Sequence, residues 1–156
     1  MSDDSGLPPG RDPSWFDFNK ELVCGECGAL VVANGAAWIV ARFTPSPSWI
    51  SGTAVVGTLA GGSLFWLGVR IYDRTRGRTY ARREMASDLS YFTPAAIGLG
   101  LTVYDPSLFA TSRYLLRQDA GVLWAVTAGQ GVAFGLFAAA MNVYRVILRR
   151  LSGKRL

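Results

Sequence analysis

The stretch Leu22-Val-Cys-Gly-Glu-Cys-Gly-Ala-Leu-Val-Val-Ala-Asn-Gly-Ala-Ala-Trp-Ile-Val-Ala41 decides the fold. Glu26 is its single charge. A helix rises about 1.5 Å per residue, so this stretch matches the roughly 30 Å hydrocarbon core of a bilayer. A helix with one side in water would instead show polar residues every third or fourth position. The reading is a transmembrane helix over residues 22–41.

The same pattern recurs outward from this segment. Arg42 and Pro45-Ser-Pro47 end the first span, and a second apolar run covers residues 49–72. A third covers residues 88–104, with Pro94 placed to kink it and Asp105-Pro106 to stop it. Residues 107–119 read as a polar connection with a short interfacial helix carrying Leu108, Phe109, Tyr114, Leu115 and Leu116. The fourth run covers residues 120–148, and a basic tail follows. Residues 1–13 are polar and rich in Gly and Pro, which reads as a disordered tail. Ser14 and Asp17 match a helix-start pattern, with Trp15, Phe16 and Phe18 at the membrane boundary. The fold class is therefore all-α, a polytopic membrane protein: a four-transmembrane-helix bundle over residues 14–156.

Composition agrees. Half the residues are hydrophobic and 17% are charged, against about 25% in soluble domains. The charges cluster between the apolar runs. Put both ends and the 70–83 loop on one side, and that side holds thirteen Lys and Arg against three on the other. Basic residues concentrate on the cytoplasmic face, so both termini are expected there. The expected location is a prokaryotic cytoplasmic (inner) membrane. Because the basic residues flank apolar segments, they read as topology signals and not as a nucleic-acid surface. The first 21 residues carry five acids, unlike the basic start of a cleavable signal.

Small residues recur at every fourth position: Gly25, Ala29, Ala33, Ala37 and Ala41 in the first span, Thr53, Gly57 and Gly61 in the second, Gly131, Gly135 and Ala139 in the fourth. That spacing puts them on one helix face, where backbones can approach closely. Two readings stand open: packing within the bundle, or a face that joins a second protomer. The two halves also share a plan. Each has an entering helix preceded by an acid (Glu21, Asp88) and a returning helix that ends in aromatic and Arg residues. That plan is what a parallel duplication would leave.

Glu26 is the most informative residue. A carboxylate in lipid costs several kcal/mol unless paired or protonated. It is a candidate proton carrier. The competing reading is a structural charge that meets water or an arginine, with Arg70 and Arg145 nearest in expected depth. Asp88, Tyr91, Thr93 and Pro94 cluster at one helix end, where Pro94 frees a backbone carbonyl; this is the candidate substrate site. Asn34, Gln130 and Asn142 are the remaining intramembrane polar residues of note, with hydrogen bonding across the bundle as the simplest role for each. Cys24-x-x-Cys27 has no His and no third Cys to complete a closed metal site, so neither a metal nor a cofactor is expected. No nucleophile–base pair or phosphate-binding loop occurs, so no enzyme activity is expected either.

Three motifs add a resemblance. Gly68-Val-Arg-Ile-Tyr72-Asp73-Arg74 closes the second span, Asp88-Leu-Ser-Tyr91-Phe-Thr-Pro94 opens the third, and Gly135-Leu-Phe137, Tyr144-Arg145 and Arg149-Arg150 close the fourth. Together they resemble the bacterial L-alanine exporter family over about half the chain. The resemblance implies proton-driven export of a small amino acid, with the bilayer and a small-molecule substrate as partners. A homo-oligomer or a larger membrane complex is expected. The rival from another class is a non-catalytic accessory subunit of such a complex.

Overall fold

The computed structural model describes residues 15–75 and 93–152, and they are all helical or in short turns. Helix α1 is Trp15–Val40 and α2 is Pro47–Thr75. Residues 93–99 are helical and pass through a π turn, Gly100–Tyr104, into α3, Asp105–Arg117. Helix α4 is Val122–Ser152. Around the bundle the order is α1, α2, α3, α4, with α4 also against α1. The described residues are all-α, with four helices. The tail 1–13 and most of the 70–83 arginine cluster lie outside the described residues.

Local chemistry explains the turns. Helix α1 winds down through Ala41–Phe43, where Ala41 N–H donates to Ala37 O at 2.9 Å. The Arg42 guanidinium lies 4.3 Å from the centre of the Trp38 ring. Pro47 then starts α2, where its missing N–H costs nothing and its fixed φ suits the first helical position. At the end of α3, Ala120 N–H donates to Leu115 O and Asp119 N–H to Leu116 O, which satisfies the last carbonyls. Asp119 sits at φ 56°, a left-handed conformation that a short acidic side chain tolerates. The chain thereby reverses in four residues, 118–121, and α4 returns along α3.

Among the described residues, three helices are long and apolar enough to cross a membrane: Leu22–Val40, Pro47–Val69 and Val122–Leu148. Their outer faces carry large exposed apolar side chains, among them Val31 (65% exposed), Trp49, Leu64 and Trp124. A water-soluble surface rarely shows so continuous an apolar face, whereas lipid requires one. The chain is thus a multi-pass membrane protein by its helices.

The third segment differs from its sequence reading. Asp105-Pro106 does not end the helix; the backbone stays helical to Arg117. The physical reason is the π turn. Asp105 N–H reaches back five residues to Gly100 O, so the ladder is already widened where Pro106 lacks a donor. The segment read as a connection is α3 itself, and its Leu108 is fully buried. Residues 88–92 of the expected third span lie outside the described residues.

The small-residue faces of the first two spans serve the bundle itself. Ala29, Ala33 and Ala37 are buried between α1 and α2. A methyl added at Gly57 would stand 2.7 Å from the Ala33 Cα, and one at Gly61 would collide with the Gly28 carbonyl. Thr53, in line with these glycines, is half-buried, and its hydroxyl donates to Trp49 O on its own helix at 2.9 Å. The α4 stripe behaves differently: a Cβ at Gly131 or Gly135 would meet nothing within 4 Å.

Candidate functional site

Glu26 follows Leu22 by one turn on α1 and is half-buried. Both of its carboxylate oxygens lie 2.9 Å from the Tyr104 hydroxyl, which donates to them. Tyr104 comes from the π turn and exposes only 6% of its surface. Its ring meets Phe137 edge-on, with centroids 6.0 Å apart and planes at 85°. The widened turn therefore directs a tyrosine across the bundle to the one acid in the apolar stretch Leu22–Val40 of α1. Of the two arginines named from sequence, the Arg70 side chain lies outside the described residues; the partner the structure shows for Glu26 is a neutral hydroxyl.

Thr58 and Gln130 stand beside the same hydroxyl. Gln130 is fully buried, and its Nε2 donates to Thr58 Oγ1 at 3.4 Å. Its Oε1 accepts from Asn34 Nδ2 at 3.2 Å, and Thr127 Oγ1 donates to Asn34 Oδ1 at 3.3 Å. These bonds join α1, α2 and α4 through polar groups, each worth about 1 kcal/mol inside a membrane. Asn34 and Gln130 thus take the cross-bundle role. Asn142 donates to Ala138 O on its own helix at 2.8 Å.

The Glu26–Tyr104 pair stands in the wall of a cleft of about 470 Å³. Gly25, Glu26 and Ala29 of α1, Thr58, Gly62, Ser63 and Trp66 of α2, and Phe134 and Phe137 of α4 line it. Thr93, Ala96, Ile97, Gly100, Leu101, Tyr104 and Asp105 close the remaining side. The space exists because α2 packs against α3 but stands clear of the π turn. Small residues on α1 and α2 leave the volume open, and aromatic rings floor it. Asp105 exposes 9% of its surface, and its Oδ1 has no hydrogen-bond partner among the described residues.

Of the residues singled out from sequence, Glu26 and Thr93 meet at this cleft. The Thr93 hydroxyl is buried and unpartnered among the described residues. Pro94, its neighbour, is exposed. Asp88 and Tyr91 lie outside the described residues. Cys24 is half-buried, Cys27 is exposed, and both thiols are free. Sequence reasoning missed Tyr104, Asp105, Thr58 and Trp66. A tyrosine, an acid and a proline after an apolar run look like the end of a span, and no residue type announces a π turn. Compared with known proteins, the chain matches no family model, no curated protein and no solved structure.

Proposed function

We propose that this chain is a small-solute exporter of a prokaryotic cytoplasmic membrane, driven by the proton gradient. One observation carries the reading: Glu26, a carboxylate inside a membrane-length helix, is presented by Tyr104 to an apolar cleft large enough for a solute. An intramembrane acid at a cavity is suited to exchanging a proton for a solute. Thr93 adds a hydroxyl to the same space, and Asp88 and Tyr91 belong to the proposed site by sequence. The resemblance to alanine exporters supplies the solute class, one that bears an amino group. In reconstituted vesicles, labelled L-alanine or another small organic amine should move against an imposed proton gradient at rates above protein-free vesicles. No flux of any such solute above that baseline would overturn the reading.

The proposal includes four spans with both ends inside, the third being residues 88–104, of which 93–104 are described and helical. Gln118 is exposed in the α3–α4 turn, and Thr79 belongs to the arginine-rich loop. In a background lacking Cys24 and Cys27, Gln118→Cys should react with an impermeant thiol reagent added outside intact cells, and Thr79→Cys should not. The reverse pattern would invert the topology.

The outward stripe Gly131, Gly135 and Ala139 favours a second reading, an accessory subunit whose α4 packs against an unlike chain. Purification separates the two. An exporter should be isolated alone, as a homo-oligomer joined along that stripe, whereas a subunit should bring other chains in fixed ratio.

A further inference from the structure

The cleft has an electrostatic character that an amino-acid site would not need. Two acids line it, Glu26 and Asp105, and among the described residues neither a Lys nor an Arg does. The Asp105 side chain is nine-tenths buried, with one carboxylate oxygen lacking any hydrogen-bond partner among the described residues. A buried polar group left in this state is costly unless something else meets it. A zwitterion would bring its own carboxylate into a space whose described lining already holds two and includes no cation. A ligand with a single positive charge would instead complete the site.

The walls describe the rest of that ligand. Trp66, Tyr104, Phe134 and Phe137 present aromatic surface, and a cation over an aromatic face gains further attraction when desolvated. The volume, about 470 Å³, falls within the range of pockets that enclose drug-sized molecules. It exceeds what an amino acid with a methyl side chain would fill. The mouth lies between α2 and the helix over 93–104. Leu59 and Leu67 on one side, and Ile97 and Leu101 on the other, each expose about half of their surface (47%, 49%, 57% and 57%). In a membrane this rim faces acyl chains, so an apolar ligand reaches the cleft from lipid.

We infer that the cleft binds an amphiphilic organic cation, a lipophilic primary amine or quaternary ammonium, with its charge between Glu26 and Asp105 and its apolar body against Trp66 and Phe137. This inference deepens the exporter reading by naming its solute class, and it rests on that reading only for the ligand's fate after binding.

The test uses the full chain in nanodiscs and three probes: 2-phenylethylamine, benzyltrimethylammonium and L-phenylalanine. The first and last share an aromatic body and differ by one carboxylate. Binding is read by calorimetry and by tryptophan fluorescence, with Trp66→Phe assigning the optical signal. Both cations should bind, and L-phenylalanine at least tenfold more weakly. Glu26→Gln and Asp105→Asn, each checked for folding by gel filtration, should weaken the cations tenfold or more; if Asp105→Asn fails to fold, Glu26→Gln alone decides. Equal affinity for 2-phenylethylamine and L-phenylalanine would overturn the inference, as would cation binding that survives loss of either acid. Cations that bind but never cross vesicle membranes would sink the exporter reading and leave the ligand class standing. Alanine transport without cation binding would do the reverse.

Discussion

Glu26→Gln is expected to yield a folded protein of normal size that has lost proton-driven export. Had Glu26 been paired with a buried arginine, removing its charge would strand a cation at a cost of about 3–5 kcal/mol, and the fold would fail first. The partner is the Tyr104 hydroxyl, 2.9 Å from both oxygens. A glutamine keeps one oxygen to accept that bond. The loss is then the difference between a charged and a neutral hydrogen bond, about 1 kcal/mol. What glutamine cannot do is take up and release a proton, so coupled flux should fall to the protein-free baseline. Tyr104→Phe separates holding the carboxylate from carrying the proton. It retains the ring against Phe137 and removes the donor, leaving the acid in place but unheld. Export should slow roughly tenfold or more, in line with about 1.5–3 kcal/mol for a bond to a charged group. Thermal unfolding and vesicle flux, measured on both variants, are the checks. A Glu26→Gln protein that exports normally removes this residue from the mechanism. One that does not fold restores a structural charge.

Gly61→Leu should produce the largest loss of folding. A Cβ at Gly61 would meet the Gly28 carbonyl and stand 2.8 Å from Val32 Cβ. The first of these obstacles is backbone, which cannot rotate away, so α1 and α2 must separate. The expected cost is about 3 kcal/mol, the upper end of overpacking, and it falls on close helix contact, which holds spans together in lipid. Gly131→Leu is the matched control, because a Cβ there meets nothing within 4 Å. It should leave the bundle intact, and any effect should appear in oligomeric size. Ala33→Leu and Val31→Leu repeat the comparison on α1, where Ala33 is wholly buried and Val31 is 65% exposed. The former should unfold readily and the latter change stability by less than about 1 kcal/mol. Yields of folded protein after detergent extraction, with denaturant titrations, would show the ranking. Equal tolerance at Gly61 and Gly131 would mean that α1 and α2 do not pack this way.

These two results would bear on different layers of the proposal. The glycine series tests the scaffold that keeps the cleft open between α2 and the π turn. The Glu26 series tests the use made of it. Loss of export in Gly61→Leu would carry no information about the site, since Thr58, Gly62 and Trp66 would move with α2.

The sequence by itself determined the three long apolar helices. Apolar length, charge placement and the punctuation at Arg42, Pro45 and Pro47 mark α1 and the start of α2 to within a few residues, because a bilayer admits few alternatives. The spacing of Gly25, Ala29, Ala33 and Ala37 also marks the buried face of α1, since period and face are the same fact in a helix. Glu26 stood out for a similar reason: an acid in an apolar run is costly in any fold. Only the tertiary structure decided what that acid meets and which stripe packs inside. The Glu26–Tyr104 bond spans 78 positions in the chain and depends on a π turn. Tyr104 and Asp105 therefore look like the end of a helix when read in order. Their role comes from the extra residue in that turn, which rotates the following side chains and carries the helix through Pro106. The stripes on α1 and α4 are alike as sequence. One is buried against α2 and the other faces outward because only the first finds Gly57 and Gly61 opposite it.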